Sequence, residues 1–207
     1  MLDTLGIQMG GFQEVITTET GDSRDTLKNI TPEGTQTILR SPALLSGSSA
    51  GYGIGSFSTY QAVRTETIKV QPEGEEQRVL GKMEFEIDGK RISFYNTHVS
   101  WLYVGDKGFC RDQQLAFINS VIQGDPNPYK IIVGDFNIED YAEYDVFTGF
   151  KCTNHPDNPY TSYTTEDQPF RNLDNILVTE NIDIVDSAMI EEDLSDHNLI
   201  FADLILH

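Results

Sequence analysis

The stretch Lys130–Asn137, which reads KIIVGDFN, joins a short apolar segment to a glycine and a group of polar residues. A continuous apolar run of this length, bounded by turn signals, is typical of a strand buried on both faces of a sheet. Upstream, Phe109–Ile122 carries apolar residues at helical spacing, and Gly124 follows as a stop signal. A helix that leads into a buried strand predicts a crossover connection in an α/β fold.

The segments around this unit favour strands over helices. Met83–Ile87 alternates apolar and acidic residues, and Asp88-Gly89 supplies a two-residue turn before the next alternating segment, which predicts a β-hairpin. Tyr52–Phe57 and Tyr60–Val70 are rich in β-forming residues and are expected to pair with each other. The later segments are predicted as a short helix, a long polar loop and two strands, in the order Asp140–Phe147, Asn154–Arg171, Leu173–Val178 and Leu199–Leu206.

The first fifty residues give weaker signals. Leu2–Gln8 is predicted as a strand and Phe12–Thr18 as a second one, with Gly10-Gly11 as a sharp turn between them. The polar stretch Gly21–Ser49 contains at most a short helix, near Ser23–Ile30. Taken together, the elements predict a single domain over residues 1–207, built as an α/β layered sandwich of mixed sheets.

The charge balance restricts the partners of the protein. The chain has 207 residues, and its 14 basic and 33 acidic side chains give a formal net charge of −19. Hydrophobic residues make up 38% of the chain, which is enough to form a core and excludes a disordered acidic tail. Because nucleic-acid binding draws much of its affinity from Lys and Arg, the acidity disfavours a general nucleic-acid binder.

Cysteine usage and the N-terminal sequence bear on the compartment. The chain has two cysteines, Cys110 and Cys152, which are too few to stabilise a domain of this size through disulfide bonds. Both are therefore expected to be free thiols. No apolar run reaches the roughly 18–20 residues of a membrane span, and Met1–Gly10 has neither the basic nor the apolar part of a secretory signal. These features favour a cytoplasmic monomer, or a secreted one if a signal peptide was removed.

Polar residues that can perform chemistry fall where the predicted strands begin or end. Loops held by a rigid sheet commonly carry function at such positions. Oxygen donors for a hard cation, together with histidines and an amide, are what metal-assisted phosphoester hydrolysis requires. The groups are Asn96-Thr97-His98, Gly134-Asp135-Phe136-Asn137, Asp174-Asn175, Ser195-Asp196-His197 and, earlier in the chain, Glu14.

The four downstream groups resemble, in order and spacing, the motifs of the endonuclease/exonuclease/phosphatase superfamily, which has the DNase I-like fold. The combination of GDFN and SDH is the specific part of this resemblance. The resemblance implies a four-layered α/β sandwich with two facing mixed β-sheets and an active site at one end. It also implies hydrolysis of a phosphodiester or phosphomonoester with a divalent cation, Mg²⁺ or Mn²⁺.

The resemblance also assigns roles to individual residues. Glu14 matches a metal-binding glutamate, and Asp196 belongs to a terminal pair in which the aspartate serves the metal or orients a histidine. His98 matches a histidine that contacts phosphate or acts as the acid, and a nearby carboxylate is expected to favour the imidazolium form of His98 or His197. The predicted catalytic set is His98, Asp135, Asn137, Asp174, Asp196 and His197, with His98, Asn137, Arg111 and Trp101 expected to contact the substrate.

The N-terminal region departs from this pattern. The resemblance implies a first strand that ends in an asparagine of the metal site and is followed by a helix. Here Leu2–Gly10 is interpreted as that strand, with Gly6 at the asparagine position, so the N-terminal region is shortened. An alternative alignment places Met9 at the glutamate position, but the alignment through Glu14 retains the carboxylate.

The leading prediction is a metal-dependent phosphoesterase that acts by in-line attack of water on phosphorus. The net charge favours a phosphorylated small molecule, sugar or lipid head group as the substrate. One alternative is a metal-dependent nuclease acting on DNA or RNA. Another is a catalytically impaired binding module on the same fold, which the altered N-terminal region suggests.

Overall fold

The computed structural model describes residues 2–17, 26–43, 51–73, 77–101, 110–163, 171–191 and 193–207. The described elements include three α-helices, one 3₁₀ helix and eleven strands. The helices are α1 (Leu2–Leu5), α2 (Thr26–Ile30), α3 (Arg111–Gln123) and the 3₁₀ helix Tyr141–Val146. The strands are β1 (Met9–Ile16), β2 (Thr37–Pro42), β3 (Tyr52–Ser58), β4 (Arg64–Lys69), β5 (Val79–Ile87), β6 (Lys90–His98), β7 (Tyr129–Asp135), β8 (Phe150–Cys152), β9 (Asp174–Thr179), β10 (Ile182–Ile190) and β11 (Leu199–Leu206).

The largest sheet has six strands in the order β4-β5-β6-β7-β9-β8. Its central strands β6 and β7 are parallel and are joined through α3, while the other pairs are antiparallel. The buried strand β7 and the preceding helix α3 confirm the prediction made from Lys130–Asn137 and Phe109–Ile122. The architecture is α/β with several mixed sheets.

Apolar side chains cover both faces of the large sheet. On one face, α3 and the 3₁₀ helix contribute to a core that includes Ile118, Ile122, Ile132 and Phe136. On the other face, a second core contains Phe85, Phe94 and Ile131, against which side chains of β1, β2 and β11 pack. This second layer consists of a three-stranded sheet, β1-β3-β2, and a two-stranded sheet, β10-β11.

The predicted hairpin is confirmed as β5 and β6. Ile87 pairs with Lys90, and the two turn residues Asp88 and Gly89 have φ angles of 50° and 74°. Positive φ at both positions is the signature of a type I′ turn, which fits the twist of the flanking strands. Aspartate and glycine tolerate this conformation, so the local sequence fixed the register here.

Three local predictions are wrong. The turn predicted at Gly10-Gly11 is absent, because both glycines lie within the strand β1 and pair with β3. Leu2–Leu5 is helical rather than a strand: Leu2 and Leu5 are three positions apart, and Gly6 follows with φ 66°, as a helix-ending glycine does. Gly6 therefore caps a helix and does not stand at a strand end. In addition, β3 and β4 do not pair, because β3 joins β1 and β2 whereas β4 joins β5 in the other sheet.

Three strands were missed because their sequences are polar or short. In β2, the alternation of buried Thr37, Leu39 and Ser41 contains only one large apolar residue. The strand β10 carries three acidic or hydroxyl residues, and β8 has only three residues. Both cysteines are free, as predicted. None of the helices within the described residues is long and apolar enough to cross a membrane.

Candidate active site

Three neighbouring strands bring their polar ends together. The pairing of β6 with β7 places His98 beside Asp135, and the pairing of β7 with β9 places Asp135 beside Asp174. His197 lies just before β11 and reaches the same point. The register of the large sheet therefore gathers four of the predicted catalytic residues into one cluster.

His197 connects the two carboxylates of this cluster. Its Nδ1 lies 2.7 Å from Oδ2 of Asp174, and its Nε2 lies 3.9 Å from Oδ2 of Asp135. On the opposite side, Nε2 of His98 lies 3.5 Å from the same oxygen of Asp135. Asp174 thus orients His197, while Asp135 is flanked by both imidazoles.

The turn after β7 holds Asp135 in place. The backbone N–H of Asn137 donates to Oδ1 of Asp135 at 2.8 Å, and the Asn137 side chain donates to the carbonyl oxygen of Val99 at 3.0 Å. Asn137 adopts a φ of 52°, which asparagine tolerates better than most residues. Gly134 is required because a Cβ there would lie 2.2 Å from the carbonyl oxygen of Thr97. The glycine lets β7 approach β6 closely at the site.

Arg111 has a different environment from the one predicted. It is buried, its Nε and Nη2 donate to Glu143 at 3.0 and 2.8 Å, and its Nη1 donates to the carbonyl oxygen of Asn137 at 2.5 Å. Arg111 is not among the residues that line the groove described below. Its hydrogen bond to Asn137 gives Arg111 a positioning role, because it anchors the turn that carries Asp135.

Replacing Arg111 by methionine is expected to lower the free energy of unfolding by about 3 kcal/mol, because it leaves Glu143 partly buried without its cation. Urea denaturation followed by circular dichroism would measure this change. Arg64→Met is the matched control, since the Arg64–Glu66 ion pair is exposed and its loss should change the stability by less than about 1 kcal/mol. Equal effects of the two substitutions would contradict the positioning role.

Burial dominates the electrostatics of Asp135. It raises the pKa of this carboxyl, and the nearby charge of Asp174 raises the pKa further, while His197 opposes the shift. The described ion pairs of Asp135 are with the two histidines and include neither a lysine nor an arginine. A carboxyl held in this way can accept a proton near neutral pH, which is what a general base requires.

The two histidines differ in charge. Burial alone would lower the pKa of His197, but the hydrogen bond and charge of Asp174, aided by Asp135, raise it to about 9. For His98, burial together with the positive charges of Arg78 and His197 holds the pKa well below its usual value. The expectation that a nearby carboxylate favours the imidazolium form therefore holds for His197 and is wrong for His98.

A pH titration followed by NMR should resolve this difference. In metal-free protein, the imidazole signals of His197 are expected to titrate with a midpoint near 9. The imidazole of His98 is expected to be neutral at pH 6.5, and its signals should show this. Because the folded-state pKa of His197 is raised, its contribution to stability is complete below about pH 6.5 and is lost as the pH rises towards 9. The loss of one signal in His197→Gln assigns the resonance. A His197 midpoint below 6.5 would contradict the pairing with Asp174.

The cluster opens into a groove of about 1400 Å³. Glu14, Asp196 and Trp101 lie in its walls, and the Trp101 side chain is exposed. Neither Glu14 nor Asp196 belongs to the closest group of potential ligands, in which atoms of Asp135, Asp174 and His197 all lie within 4.8 Å of one another. The structure thus places all the predicted residues except Arg111 in the walls of one groove, with the two predicted metal ligands outside this tight group.

Gln13 links β1 to this site. Its side-chain amide donates to Oδ1 of Asn96 at 2.7 Å, and Asn96 in turn donates to the carbonyl oxygen of Gly55 at 2.9 Å. The next residue, Glu14, has a φ of 56° at an irregularity in the pairing of β1 with β3. The alignment through Gln13 and Glu14, rather than through Met9, therefore brings a carboxylate next to a fixed contact with β6.

Sequence reasoning missed Arg78. It lies directly before β5, is buried, and lines the same groove as Asp135 and His98. The positive charge of Arg78 contributes to the low pKa of His98 and opposes the rise in the pKa of Asp135. A single arginine ahead of a strand carries no recognisable motif, so nothing in the local sequence indicates this location. The ring of Tyr163 packs edge-on against His197, with 4.9 Å between the two ring centroids.

The donor set fits a divalent cation such as Mg²⁺ or Mn²⁺. Asp135 is a buried carboxylate whose described ion-pair partners are histidines, one of them neutral, and Asp174 lies beside it. A second positive charge would favour the ionised form of Asp135, and hard cations prefer carboxylate oxygens.

Comparisons with solved structures place the fold. An endonuclease/exonuclease/phosphatase protein from Bacteroides vulgatus is 21% identical, with a TM-score of 0.75 over 100% of this chain and 87% of the other. TDP2 from D. rerio, complexed with a single-strand DNA product, is 19% identical with a TM-score of 0.76 over 99% and 88%. A mannosyl-6-phosphatase from Bacteroides thetaiotaomicron is 15% identical with a TM-score of 0.69 over 100% and 88%.

No family model and no curated protein sequence matched the chain. The structural matches nevertheless show that the chain has the fold of the endonuclease/exonuclease/phosphatase proteins, the DNase I-like fold. This outcome confirms the fold class predicted from the motifs.

Proposed function

We propose that this protein is a divalent-metal-dependent phosphoesterase that hydrolyses its substrate by in-line attack of water. The observation that carries the proposal is the arrangement at the ends of β6, β7 and β9, where buried Asp135 lies between His98 and the hydrogen-bonded pair of His197 and Asp174. A base, an oriented imidazolium and a neutral imidazole in one groove are suited to phosphoryl chemistry.

Each side chain has a role in this proposal. Asp135 orients the attacking water and accepts its proton, because its raised pKa makes it a competent base. His197, kept protonated by Asp174, donates to the phosphate oxygens or to the leaving group as negative charge develops. Neutral His98 offers a hydrogen bond to the phosphate. Asn137 positions Asp135 through its backbone N–H.

The metal would be held by carboxylate oxygens of Glu14 and Asp196, which line the same groove as Asp135. When bound, it supplies positive charge that neutralises phosphate oxygens. The two metal ligands and the base lie on different elements: Glu14 lies in β1, Asp196 precedes β11, and Asp135 ends β7. Correct assembly of both layers is therefore a condition for metal binding.

The favoured substrate is a phosphorylated small molecule, sugar or lipid head group. The net charge of −19 supports this choice, because such a protein repels a polyanion. The structural neighbours include both a mannosyl-6-phosphatase and TDP2 in complex with a single-strand DNA product. The second neighbour favours a nuclease as the alternative function. A cytoplasmic, monomeric, single-domain protein is also part of the proposal.

A substrate panel tests the proposal. Purified protein is assayed with p-nitrophenyl phosphate, bis-p-nitrophenyl phosphate, plasmid DNA and single-stranded DNA, each with Mg²⁺, with Mn²⁺ and with EDTA. EDTA-sensitive turnover of either nitrophenyl ester supports a phosphoesterase, and the preferred ester separates monoesterase from diesterase. Turnover of DNA alone supports the nuclease. Background rates on every substrate with both metals would contradict both and would favour a catalytically impaired binding module.

A further inference from the structure

Three side chains form a row along one wall of the groove, starting from the proposed proton donor. Tyr163 forms backbone bridges with His197 and with Arg171. The centroid of its ring lies 4.9 Å from that of the His197 imidazole and 5.7 Å from Cζ of Arg171. All three residues line the groove. The row therefore leads from the reacting end of the groove to a guanidinium group.

Arg171 ends this row in an ion pair. Its Nη2 donates to Oε1 of Glu139, which lies in the segment after β7. The two side chains are 25% and 58% exposed, and both residues line the groove. The side chains of Arg111 and Glu143 are only 7% and 16% exposed, and neither residue lines the groove. The pair of Arg111 with Glu143 is thus an internal anchor, whereas that of Arg171 with Glu139 presents polar atoms to a ligand.

Trp101 adds an aromatic ring near this ion pair. It is exposed and lines the same groove. Nη1 of Arg111 donates to the carbonyl oxygen of Trp101 at 3.4 Å and to that of Asn137 at 2.5 Å. One guanidinium therefore holds Trp101 next to the segment that carries Glu139.

We propose that Glu139, Tyr163 and Arg171 form a subsite that binds the sugar ring of a phosphorylated sugar. The inference rests on the proposed function, because it places the phosphate of this substrate at His197 and the water-activating base. A phosphate group attached to a sugar lies outside the ring, so the ring can extend along the row from His197 towards Arg171. The subsite selects the substrate and takes no part in the proton transfers.

The ion pair matches hydroxyl groups better than a second phosphate. A guanidinium only donates hydrogen bonds and a carboxylate only accepts them, whereas a hydroxyl does both. Neighbouring hydroxyls of a sugar can therefore donate to Glu139 and accept from Arg171 while the two charges stay paired. A second phosphate would be repelled by Glu139 and by the net charge of −19. Hydrogen bonds to charged groups are among the stronger ones in proteins, so this pair can discriminate between ligands.

The aromatic rings suit the apolar part of a sugar. The C–H groups of a sugar ring form apolar patches, and covering them with an aromatic ring removes apolar surface from water. Tyr163 is half-buried and Trp101 is exposed, so both have surface that a ligand can cover. A nucleobase would also stack on such rings, but it would not need the ion pair. A nucleoside monophosphate is therefore the competing ligand.

The fluorescence of Trp101 measures binding at this wall directly, because it is the one tryptophan of the 207 residues. Wild-type protein in EDTA is titrated with the 1-phosphates and 6-phosphates of glucose and mannose, with adenosine monophosphate and with inorganic phosphate. At least one hexose phosphate is expected to change the emission and to bind at least about tenfold more tightly than inorganic phosphate.

Two substitutions each remove one charge of the ion pair. Arg171→Met and Glu139→Gln should each reduce the preference for the hexose phosphate over inorganic phosphate at least about fivefold. Arg64→Met is the matched control, because the exposed pair of Arg64 with Glu66 lies outside the groove walls, and it should keep the preference. Circular dichroism establishes that each variant is folded.

The inference is overturned if no hexose phosphate binds more tightly than inorganic phosphate, or if either folded variant of the ion pair keeps the wild-type preference. Tighter binding of adenosine monophosphate than of every hexose phosphate would also overturn it. Hydrolysis of the same compounds and of p-nitrophenyl phosphate is assayed separately with Mg²⁺. Turnover of p-nitrophenyl phosphate without a preference for sugars would reject the subsite and leave the proposed function intact. Binding of a hexose phosphate without hydrolysis of any ester would retain the subsite and reject the phosphoesterase.

Discussion

Asp135→Asn is expected to reduce EDTA-sensitive hydrolysis of bis-p-nitrophenyl phosphate by about 1,000-fold, since it removes the base that orients and deprotonates the attacking water. The same substitution should raise the free energy of unfolding near pH 7 by about 1–3 kcal/mol. Asp135 is buried and its pKa is raised, so the wild-type protein loses stability when this carboxyl ionises. Asparagine retains the acceptor for the N–H of Asn137 without the charge.

The sign of this stability effect follows from linkage. A group whose folded-state pKa is raised contributes its stability below the unfolded-state pKa and loses it as the pH rises through the folded-state value. The advantage of Asp135→Asn should therefore vanish near pH 4, where the wild-type carboxyl is protonated in both states. Urea denaturation in metal-free buffer at both pH values measures it.

Asp125 is the matched control for Asp135. It is also buried, but it accepts hydrogen bonds from Tyr95 and the N–H of Asn127 and pairs with Lys82. It lies before the start of β7, whereas Asp135 lies at the end of that strand. Hydrogen bonding outweighs burial and lowers its pKa. Asp125→Asn should consequently destabilise the fold and leave turnover per folded molecule unchanged. Asp135→Asn with near wild-type turnover would contradict the proposed role of Asp135.

His197→Gln is expected to lower the hydrolysis rate by about 100-fold to 10,000-fold, since it removes the proton donor and the positive charge next to Asp135. Asp174→Asn should have a smaller effect on the rate and a distinct effect on its pH dependence. Without the carboxylate of Asp174, the pKa of His197 loses the interaction that raises it. The alkaline limb of the rate profile should therefore move to lower pH.

The protein contains a matched control for this pair. His207 Nε2 lies 2.7 Å from Oδ2 of Asp183, the same separation as between His197 and Asp174, but both residues are exposed and outside the groove. His207→Gln and Asp183→Asn should leave the rate and its pH profile unchanged. If His197→Gln has no greater effect than His207→Gln, then His197 has no role in the chemistry.

The sequence predicted the elements whose local pattern is unambiguous. The hairpin has turn residues, Asp88-Gly89, that favour one structure. The unit that ends at Asp135 combines apolar residues at helical spacing with a continuous apolar strand, which also favours one structure. The prediction of a strand at Leu2–Leu5 was wrong because four residues with leucines at both ends fit a helical turn as well as a strand. The strand β2 was not predicted, because two of its buried positions are hydroxyl residues that only tertiary packing covers.

The residue types of the site could be predicted, but their partners could not. Motifs at strand ends identified Asp135, Asp174 and His197, yet the pairing of His197 with Asp174 depends on how β9 and the segment before β11 approach each other. The burial of Arg111 and the presence of Arg78 in the groove are likewise tertiary facts. The opposite charge states of His98 and His197 follow from burial, which no motif records.

The most direct test of the account is metal removal and restoration with the preferred nitrophenyl ester. Wild-type protein is assayed with Mg²⁺, after EDTA, and after Mg²⁺ is added back in excess, beside Asp135→Asn under the same conditions. We expect EDTA to abolish turnover in the wild type and added Mg²⁺ to restore it, with no turnover in the variant. Turnover that survives EDTA, or equal turnover in Asp135→Asn, would contradict a metal-dependent phosphoesterase centred on Asp135.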